Sequence, residues 1–464
     1  FEIPIPGATF IDGLAFDYAG NLVVLSASSE RFYHYTVPTD NNVCITPAKS
    51  TLTINGPGVS VPRVFAYDLK SELVTPGYDQ YRLSFKSNVP YKSGNIVFLN
   101  EAGVQVGEKL AITANPMIIN RTDLPADMVN WGVELSSDRC TSVDEYTDAS
   151  KGIYDFYNPQ GIAVDNSPES NYFGQIYIAA ATNGDATKGK TARTKNQKRG
   201  VFVYSPDLKE LNPTNVGFVP NNVTFTTTDV HEMHRIAVNP ITHEVAFAYN
   251  IQDNAAVWNM NPADWTGAAT NLINNVSQIT RANSLCFDAS GVLYVMDRAH
   301  TDNGGGTIYK IQNGTATKVI QSAEWAQQHN AMVSDGRGGL WVAQYRGSLD
   351  SYAVLSHINS TGVMDLKVDN GADATMKALF SAENGNVSQR GQLAYNEKEQ
   401  LLAVVGNFMV KIFKVTYNAS GVPSLALYAQ TSTINAPYIY GVAFDYAGKL
   451  LVGTGVNNGA FSGE

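Results

Sequence analysis

The stretch GLAFDYAGNLVV at residues 13–24 returns near the other end of the chain as GVAFDYAGKLLV at residues 441–452, with nine of the twelve letters unchanged. Each copy is a short apolar run, a polar turn that carries glycine, and a second apolar run. Glycine supplies the positive φ of a tight turn, and aliphatic runs are typical of strands buried on both faces. The phrase therefore predicts a β-hairpin near each end of the chain.

Weaker copies of the phrase lie between these two. They begin QGIAV at 160, HRIAV at 234, NSLCF at 283, NAMVS at 330 and GQLAY at 391, and each continues into a second apolar run, which gives seven copies in all. Two further strand-like runs follow most copies, such as TIYKIQ and TKVIQ after the copy at 283. Four strands in a repeat of roughly 45 to 60 residues indicate a β-propeller blade. We expect an all-β chain that forms a seven-bladed β-propeller, with six blades as the alternative.

The two ends of the chain are expected to meet in the ring. The last copy supplies only two strands before Glu464, and FEIPIP at residues 1–6 reads as a strand without a hairpin partner. We expect FEIPIP to complete the last blade from outside, because this pairing covers two exposed sheet edges at once.

The distance along the chain from Asp12 to Gln160 is far longer than one blade requires. The excess, residues 46–140, contains alternating runs such as YRLSFKS between Pro and Gly turns, which predicts an inserted β-sandwich. The expected domains are a first propeller part at 1–45, the insert at 46–140 and the remaining blades at 141–464. Cys44 and Cys140 bracket the insert, so a disulfide between them is one interpretation and two unrelated thiols is the other.

Composition limits the environment of the protein. The formal net charge of −10 and a pI near 5.2 argue against a general nucleic-acid binder. No apolar run approaches the roughly 18 residues that span a bilayer. Because the chain starts at Phe1 rather than at methionine, we expect a mature chain whose signal segment has been removed. Together with the candidate disulfide this favours a secreted, periplasmic or cell-surface location.

The residue just before each repeat core occupies an equivalent place in every blade. The first strand of a blade begins, and its second strand ends, at the same end of the ring. Six of the seven residues at this place have polar side chains, and we predict that they form a ligand-binding face: Asp12, Gln160, His234, Asn283, Asn330 and Tyr440. The alternative is a hydrated channel mouth whose polar groups only need water. Tyr, Trp, Arg and Asn in the surrounding loops suit a carbohydrate or another small polar ligand.

The repeat pattern, from GLAFD through GNLVV, resembles NHL-repeat propellers and the gluconolactonase (regucalcin)-like propellers, and YRLSFKSNVPYKSGNIVFLNEAGVQVGEKL looks like a bacterial Ig-like module. The gluconolactonase resemblance implies one divalent metal on the axis, with Asp12 as the acidic ligand and the amides of Asn283 and Asn330 beside it. Oxygen ligands of this kind suit Ca²⁺ or Mg²⁺. The sequence departs from the family at IDGLAF, where the family carries a glutamate in an E-G-P setting.

Two classes of function follow from these residues. The first is an exported binding or interaction protein, which holds a small polar ligand or a glycan on the propeller's axial face and meets a protein partner through the Ig-like insert. The alternative is a metal-dependent hydrolase of the lactonase kind, or a lyase on uronic-acid sugars. The predicted face is mostly amides and neutral groups, whereas catalysis usually needs charged acid and base pairs. The sequence therefore leaves the enzyme question open and favours binding.

Overall fold

The structure is a computed structural model, and it describes the chain in separate segments. These are residues 12–16, 21–26, 31–36, 43–47, 64–75, 78–88, 90–136, 143–145, 159–180, 200–207, 209–212, 217–224, 235–250, 255–274, 276–297, 305–325, 330–344, 353–369, 392–397, 399–405, 410–430, 438–444 and 450–455. All structural statements below concern these residues.

The regular secondary structure of the described residues is almost wholly β-strand. The first eleven strands are β1 (Asp12–Phe16), β2 (Asn21–Ser26), β3 (Arg31–Thr36), β4 (Val43–Pro47), β5 (Ala66–Thr75), β6 (Tyr78–Ser87), β7 (Ser93–Leu99), β8 (Leu110–Ala111), β9 (Met117–Asn120), β10 (Asn130–Ser136) and β11 (Val143–Glu145). The next eleven are β12 (Pro159–Val164), β13 (Ile176–Ala180), β14 (Gly200–Tyr204), β15 (Ile236–Val238), β16 (Val245–Tyr249), β17 (Ala256–Met260), β18 (Thr270–Asn271), β19 (Ala282–Phe287), β20 (Leu293–Asp297), β21 (Gly306–Gln312) and β22 (Thr315–Ser322).

The chain continues through β23 (Asn330–Ser334), β24 (Leu340–Gln344), β25 (Ala353–Ile358), β26 (Met364–Asp369), β27 (Leu393–Asn396), β28 (Leu401–Val405), β29 (Val410–Tyr417), β30 (Pro423–Gln430), β31 (Tyr438–Phe444) and β32 (Leu450–Gly455). Two single turns of 3-10 helix lie at Arg121–Asp123 and Ala323–Trp325. Within the described segments, no helix has the length and apolar character needed to span a membrane.

Five small sheets follow one another along the chain, each made of consecutive antiparallel strands. They are β12-β13-β14, β15-β16-β17-β18, β19-β20-β21-β22, β23-β24-β25-β26 and β27-β28-β29-β30. The first strand of each sheet contacts the first strand of the next, in the order β12, β15, β19, β23, β27 and β31, and β31 contacts β12. These six inner strands therefore form a closed ring. We call the end of the ring at which they begin the axial face.

The first and last strands of the chain share one further sheet. Its order is β11-β3-β2-β1-β32-β31, so β1 pairs antiparallel with both β2 and β32. Leu14 lies opposite Val24 in one pairing and opposite Val452 in the other. The two copies of the repeated phrase thus lie in a single sheet, whereas seven separate blades were expected. The strand predicted at residues 1–6 lies outside the described residues.

The acidic residue of the repeated phrase has a structural role at the opposite end of the ring. Asp165, Asn239, Asp288 and Asp335 each follow the first strand of a sheet. In each case the side-chain Oδ1 accepts a hydrogen bond from the N–H two residues later, on Ser167, Ile241, Ser290 and Arg337 respectively. Such bonds hold a tight turn. The repeated Asp or Asn therefore closes the hairpin and is not expected to contact a ligand.

The core lies between adjacent sheets of the ring. The second strands β13, β16 and β28 are buried along their whole length, which matches their unbroken apolar sequences. One cluster joins Tyr177 and Val203 to Phe247 of the next sheet, and another joins Trp341 to Phe413. Full burial of one such side chain contributes about 1.5 to 3 kcal/mol, so sheet-on-sheet packing supplies the main cohesion of the ring.

The insert contains two sheets, β4-β10-β7-β8 and β5-β6-β9, which enclose a common core that includes Leu83, Phe98 and Trp131. The chain arrives on β4 and leaves on β10, and these strands pair antiparallel with Val43 opposite Ser136. Arrival and departure are therefore adjacent, as an inserted domain requires. Cys44 lies on β4, whereas Cys140 is outside the described residues, so their disulfide stays a prediction.

One side of the insert packs on the β12-β13-β14 sheet. Phe65 is fully buried, and its ring meets Phe173 edge to face with 5.8 Å between the centroids. Gly174 allows this approach, because a Cβ there would lie 3.2 Å from the Phe65 ring. The side chains of Tyr67 and Asp207 also form a hydrogen bond across this contact.

Candidate functional site

Three of the residues predicted for the axial face lie at β-bulges. The pairing of the first strand with the second shifts register across Gln160 in β12, across Asn283 in β19 and across Tyr440 in β31. A bulge adds one residue to a strand and turns its side chain away from the regular alternation. The same irregularity thus recurs at equivalent places in three sheets of the ring.

The other predicted residues differ from these. Asp12 is the first residue of β1, where it lies opposite Thr454, and Asn330 is the first residue of β23, where it lies opposite Gln344. Neither pairing contains a bulge at that position. His234 lies outside the described residues. Asp12 and Asn330 are thus the first residues of their strands, and Tyr440 is the third residue of β31. Side-chain contacts can be described for Gln160 and Asn283.

The side chain of Gln160 is completely buried, yet neither its Oε1 nor its Nε2 has a hydrogen-bond partner among the residues that the structure describes. A buried amide without partners costs about 1 to 3 kcal/mol. Its backbone is held firmly, because Nη1 of Arg235 donates to the Gln160 carbonyl at 2.8 Å. Arg235 is itself 1% exposed, so a buried guanidinium fixes the bulge that presents this amide.

Asn283 is also completely buried, and its Oδ1 accepts a hydrogen bond of 3.2 Å from Nδ2 of Asn250. Within the described segments, this single bond leaves Nδ2 of Asn283 and Oδ1 of Asn250 without partners. Asn250 directly follows β16, so a residue after a second strand meets a residue at the start of the next inner strand. The pair therefore adds one open donor group and one open acceptor to the axial face.

Three consecutive sheets bring these residues to one sector of the ring. Gln160 is the second residue of β12, Arg235 directly precedes β15, and Asn283 belongs to β19, the inner strand after β15. The carbonyl of Arg235 accepts a hydrogen bond from the N–H of Ala248, close to the end of β16, so Arg235 and Asn250 belong to the same end of their sheet. Buried amides on both sides of Arg235 thus lie along one arc of the axial face.

Gln392 spans the interior of the ring. Its Oε1 accepts hydrogen bonds from the N–H groups of Ile162 and Val442, both at 3.3 Å, and its Nε2 donates to the carbonyl of Ile236 at 3.4 Å. Inner strands carry an unpaired row of backbone groups towards the axis, and one side chain here satisfies three of them. Glycines at 161 and 441 leave room, because a Cβ at either would lie 3.1 to 3.2 Å from a neighbouring backbone nitrogen.

The charged side chains near the axial face include those of Asp297 and Lys411. Oδ1 of Asp297, the last residue of β20, accepts hydrogen bonds from the N–H groups of Thr280 and Arg281 at 2.9 and 2.8 Å, which ties down the segment that leads into β19. Burial, and then the charge of Asp297, raise the pKa of Tyr309. On β29, burial lowers the pKa of Lys411 to about 8.

No set of three or more His, Cys, Asp or Glu side chains with metal-binding geometry occurs in the part of the chain that the structure describes. Of the three predicted metal ligands, only Asn283 has a described side chain, and its Oδ1 is engaged by Asn250. The described side chains of this sector offer amide oxygens on Gln160 and Asn250, and the metal set of Asp12, Asn283 and Asn330 stays a prediction.

The sequence reasoning missed Asn250, Arg235 and Gln392. Asn250 could have been found, because the position after a second strand lies at the same end of the ring as the position before a first strand. Arg235 comes directly after the predicted His234, and Gln392 comes directly after Gly391. No local signal marks them, since both act on backbone atoms of other repeats.

No protein-family model and no curated protein matches this chain. Solved structures of similar shape include a protein of unknown function from Bacteroides thetaiotaomicron, with 13% identity over 86% of this chain and 96% of that chain and a TM-score of 0.41. A candidate 6-phosphogluconolactonase from Bacteroides uniformis has 11% identity over 78% and 89% of the two chains and a TM-score of 0.38. An auxiliary nutrient binding protein from Bacteroides thetaiotaomicron has 7% identity over 81% and 91% and a TM-score of 0.41. At this level of likeness, the function has to be argued from the geometry of the chain itself.

Proposed function

We propose that this chain is a binding protein that holds a small polar ligand at the axial face, in the sector formed by Gln160, Arg235, Asn250 and Asn283. The observation that carries the proposal is the pair of buried amide sites with unpaired donors and acceptors. Native proteins pair nearly all their buried polar groups. Unpaired ones at equivalent bulges of β12 and β19, with Asn250 on the sheet between them, support a ligand site in this sector.

Binding is favoured over hydrolysis by the chemistry of these groups. Carboxamides do not ionise near neutral pH, and an arginine guanidinium stays protonated throughout that range. Asp297, the carboxylate that lies opposite Ala282 next to Asn283, uses its Oδ1 to hold the preceding loop. A site of amides and a fixed cation orients a ligand by directional hydrogen bonds and supplies no acid and base pair.

The proposal extends to the architecture. We infer that the five consecutive sheets and the sheet shared by the chain ends are the six blades of a β-propeller, and that the insert is an Ig-like sandwich. A ring of six rather than seven is supported by the contact of β31 with both β27 and β12 and by the shared sheet of the chain ends. Electron-microscopy projections along the ring axis count the blades directly, and seven would overturn the six-bladed assignment.

We further propose that the protein is exported to an oxidising compartment, with Cys44 and Cys140 joined at the base of the insert. The expected protein partner of the insert, and the metal expected at Asp12, Asn283 and Asn330, stay predictions. Calcium or magnesium titration by calorimetry, with Asn283→Leu and Asn330→Leu variants beside the wild type, tests the metal. Heat that persists unchanged in both variants would contradict those ligands.

The test of the binding function is a calorimetric screen of monosaccharides, sugar acids and oligosaccharides against the wild-type chain and Gln160→Met. Methionine keeps the length and volume of the side chain and removes both polar atoms. The matched control is Gln312→Met, because Gln312 is exposed on β21, remote from β12 along the chain. We expect binding to wild type and control and its loss in Gln160→Met. Equal binding by all three would show that the site lies elsewhere.

A further inference from the structure

The open hydrogen-bonding groups of the axial face can be counted. Gln160 contributes an Nε2 and an Oε1, Asn283 contributes an Nδ2, and Asn250 contributes an Oδ1. The described part of the buried sector therefore presents two amide nitrogens that need acceptors and two amide oxygens that need donors.

This count does not depend on how the amides are oriented. Exchanging O and N in Gln160 leaves one of each open, because neither atom has a partner. Exchanging both Asn250 and Asn283 reverses the direction of their mutual hydrogen bond and again leaves one nitrogen and one oxygen open. The assignment of O and N within each amide therefore does not change the count.

The equal number of open amide nitrogens and open amide oxygens discriminates between classes of ligand. A metal cation would engage the two oxygens and leave both nitrogens buried and unpaired. A carboxylate or a phosphate accepts from nitrogens and leaves both oxygens without a donor. A hydroxyl group donates one hydrogen bond and accepts others, so two hydroxyl groups on one molecule can pair all four amide atoms. Arg235 adds only donors and does not alter the need for donors on the ligand.

We propose that the axial face binds a neutral polyhydroxylated molecule, a sugar or sugar alcohol, through at least two of its hydroxyl groups. This inference rests on the proposed function and narrows it to one ligand class. One hydroxyl bridges the open atoms of Gln160 and a second bridges Asn250 and Asn283. Asn250 lies between Gln160 and Asn283 in the order of the sheets, so we assign both hydroxyls to one molecule that reaches across three sheets, from β12 past β15 to β19.

The experiment compares matched probes on the full chain by calorimetry and ligand-observed NMR. The neutral probes are glucose, galactose, mannose, inositol and sorbitol at millimolar concentration. The matched charged probes are glucuronate, gluconate and glucose 6-phosphate, and calcium chloride is the cation probe. We expect at least one neutral probe to bind. At least one monodeoxy analogue of that probe should bind about tenfold more weakly, because loss of a hydroxyl leaves buried amide atoms unpaired.

Two variants separate failure of this inference from failure of the proposed site. Gln160→Glu keeps the shape but replaces the amide by an acceptor-only carboxylate, and we expect it to weaken neutral-probe binding by about tenfold or more. If the charged probes bind, the neutral probes do not, and Gln160→Met abolishes that binding, the site stands and the ligand class is wrong. If neutral binding survives in Gln160→Met, the site itself is wrong. Absence of binding by every neutral probe would also overturn the inference.

Discussion

Oε1 of Gln392 accepts a hydrogen bond from the backbone N–H of Ile162 at 3.3 Å, although 230 positions separate the two residues in the chain. The same side chain reaches Ile236 and Val442, so one amide links four of the six inner strands, counting its own end of β27. Gln392 therefore acts as a cross-tie inside the ring.

Replacing Gln392 by alanine should weaken the closure of the ring. Three hydrogen bonds are lost, and each backbone group that is left unpaired inside the ring costs free energy. We expect the free energy of unfolding to fall by roughly 1 to 3 kcal/mol, measured by urea denaturation. Gln312→Ala is the control, because this exposed glutamine should change stability by no more than about 0.5 kcal/mol. Equal effects of the two substitutions would contradict the cross-tie.

Gln160→Met should stabilise the protein in the absence of ligand. The substitution removes two buried polar atoms that have no partner in the described part of the chain, so it breaks no described side-chain hydrogen bond. We expect the free energy of unfolding to rise by about 1 to 2 kcal/mol, read from the midpoint of a urea transition. A fall in stability would mean that the amide has a structural partner, and would remove the main support for the site.

A buried ionic cluster on the β23-β24-β25-β26 sheet should make stability depend on pH. His357 is 1% exposed, and its Nδ1 and Nε2 lie 2.6 and 3.0 Å from the carboxylates of Asp365 and Asp335. Burial alone would lower the pKa of His357, but the hydrogen bonds and charges of the two carboxylates outweigh it, so its pKa is raised. Similarly, burial opposes ionisation of Asp335, yet its bonds to His357, Arg337 and Gly339 lower its pKa.

The directions of these two pKa shifts define two pH ranges in which the stability changes. The stabilisation from His357 is complete below its unfolded pKa of about 6.5 and is lost as the pH rises through its higher folded value. The contribution of Asp335 is present above about pH 4 and is lost on acidification. We expect the unfolding free energy to fall as the pH rises above about 6.5. His357→Leu should abolish this alkaline slope, and an unchanged slope in the variant would assign it to other groups.

The contact between the insert and the ring can be tested at Phe65. Phe65→Ala removes a buried ring that packs on Phe173, and we expect a loss of about 3 kcal/mol at the transition that reports on this contact. Leu73→Ala is the control, because Leu73 is 57% exposed on the same insert. Faster proteolytic cleavage around the insert in Phe65→Ala alone would confirm docking. Identical cleavage in both variants would show that the insert does not depend on Phe65.

The proposed disulfide has a direct chemical test. Peptide mapping of the native, unreduced protein should yield a Cys44–Cys140 linked pair, whereas Cys286, which is buried and unpaired, should react only after unfolding. Burial raises the pKa of Cys286, which further lowers its reactivity. Alkylation of Cys44 and Cys140 without reduction would contradict the disulfide.

Several features of this protein follow from local sequence alone. The repeated apolar pairs specify hairpins, because alternation of buried strands and glycine turns is a short-range property of the backbone. The turn role of Asp165 or Asp288 depends on residues two positions away. The equivalence of Gln160 and Asn283 also follows from the repeat, and the matching bulges at both residues agree with it.

Only the tertiary structure decided which residues from different repeats meet. The pairing of Asn250 with Asn283 depends on how one sheet packs beside the next, and the reach of Gln392 depends on the diameter of the ring. Whether the first and last repeats form two sheets or one depends on ring curvature, which is the sum of sheet twists and inter-sheet packing over the whole chain. No short stretch encodes that sum, and so the sequence predicted the repeating unit while the packed ring determined its closure and its site.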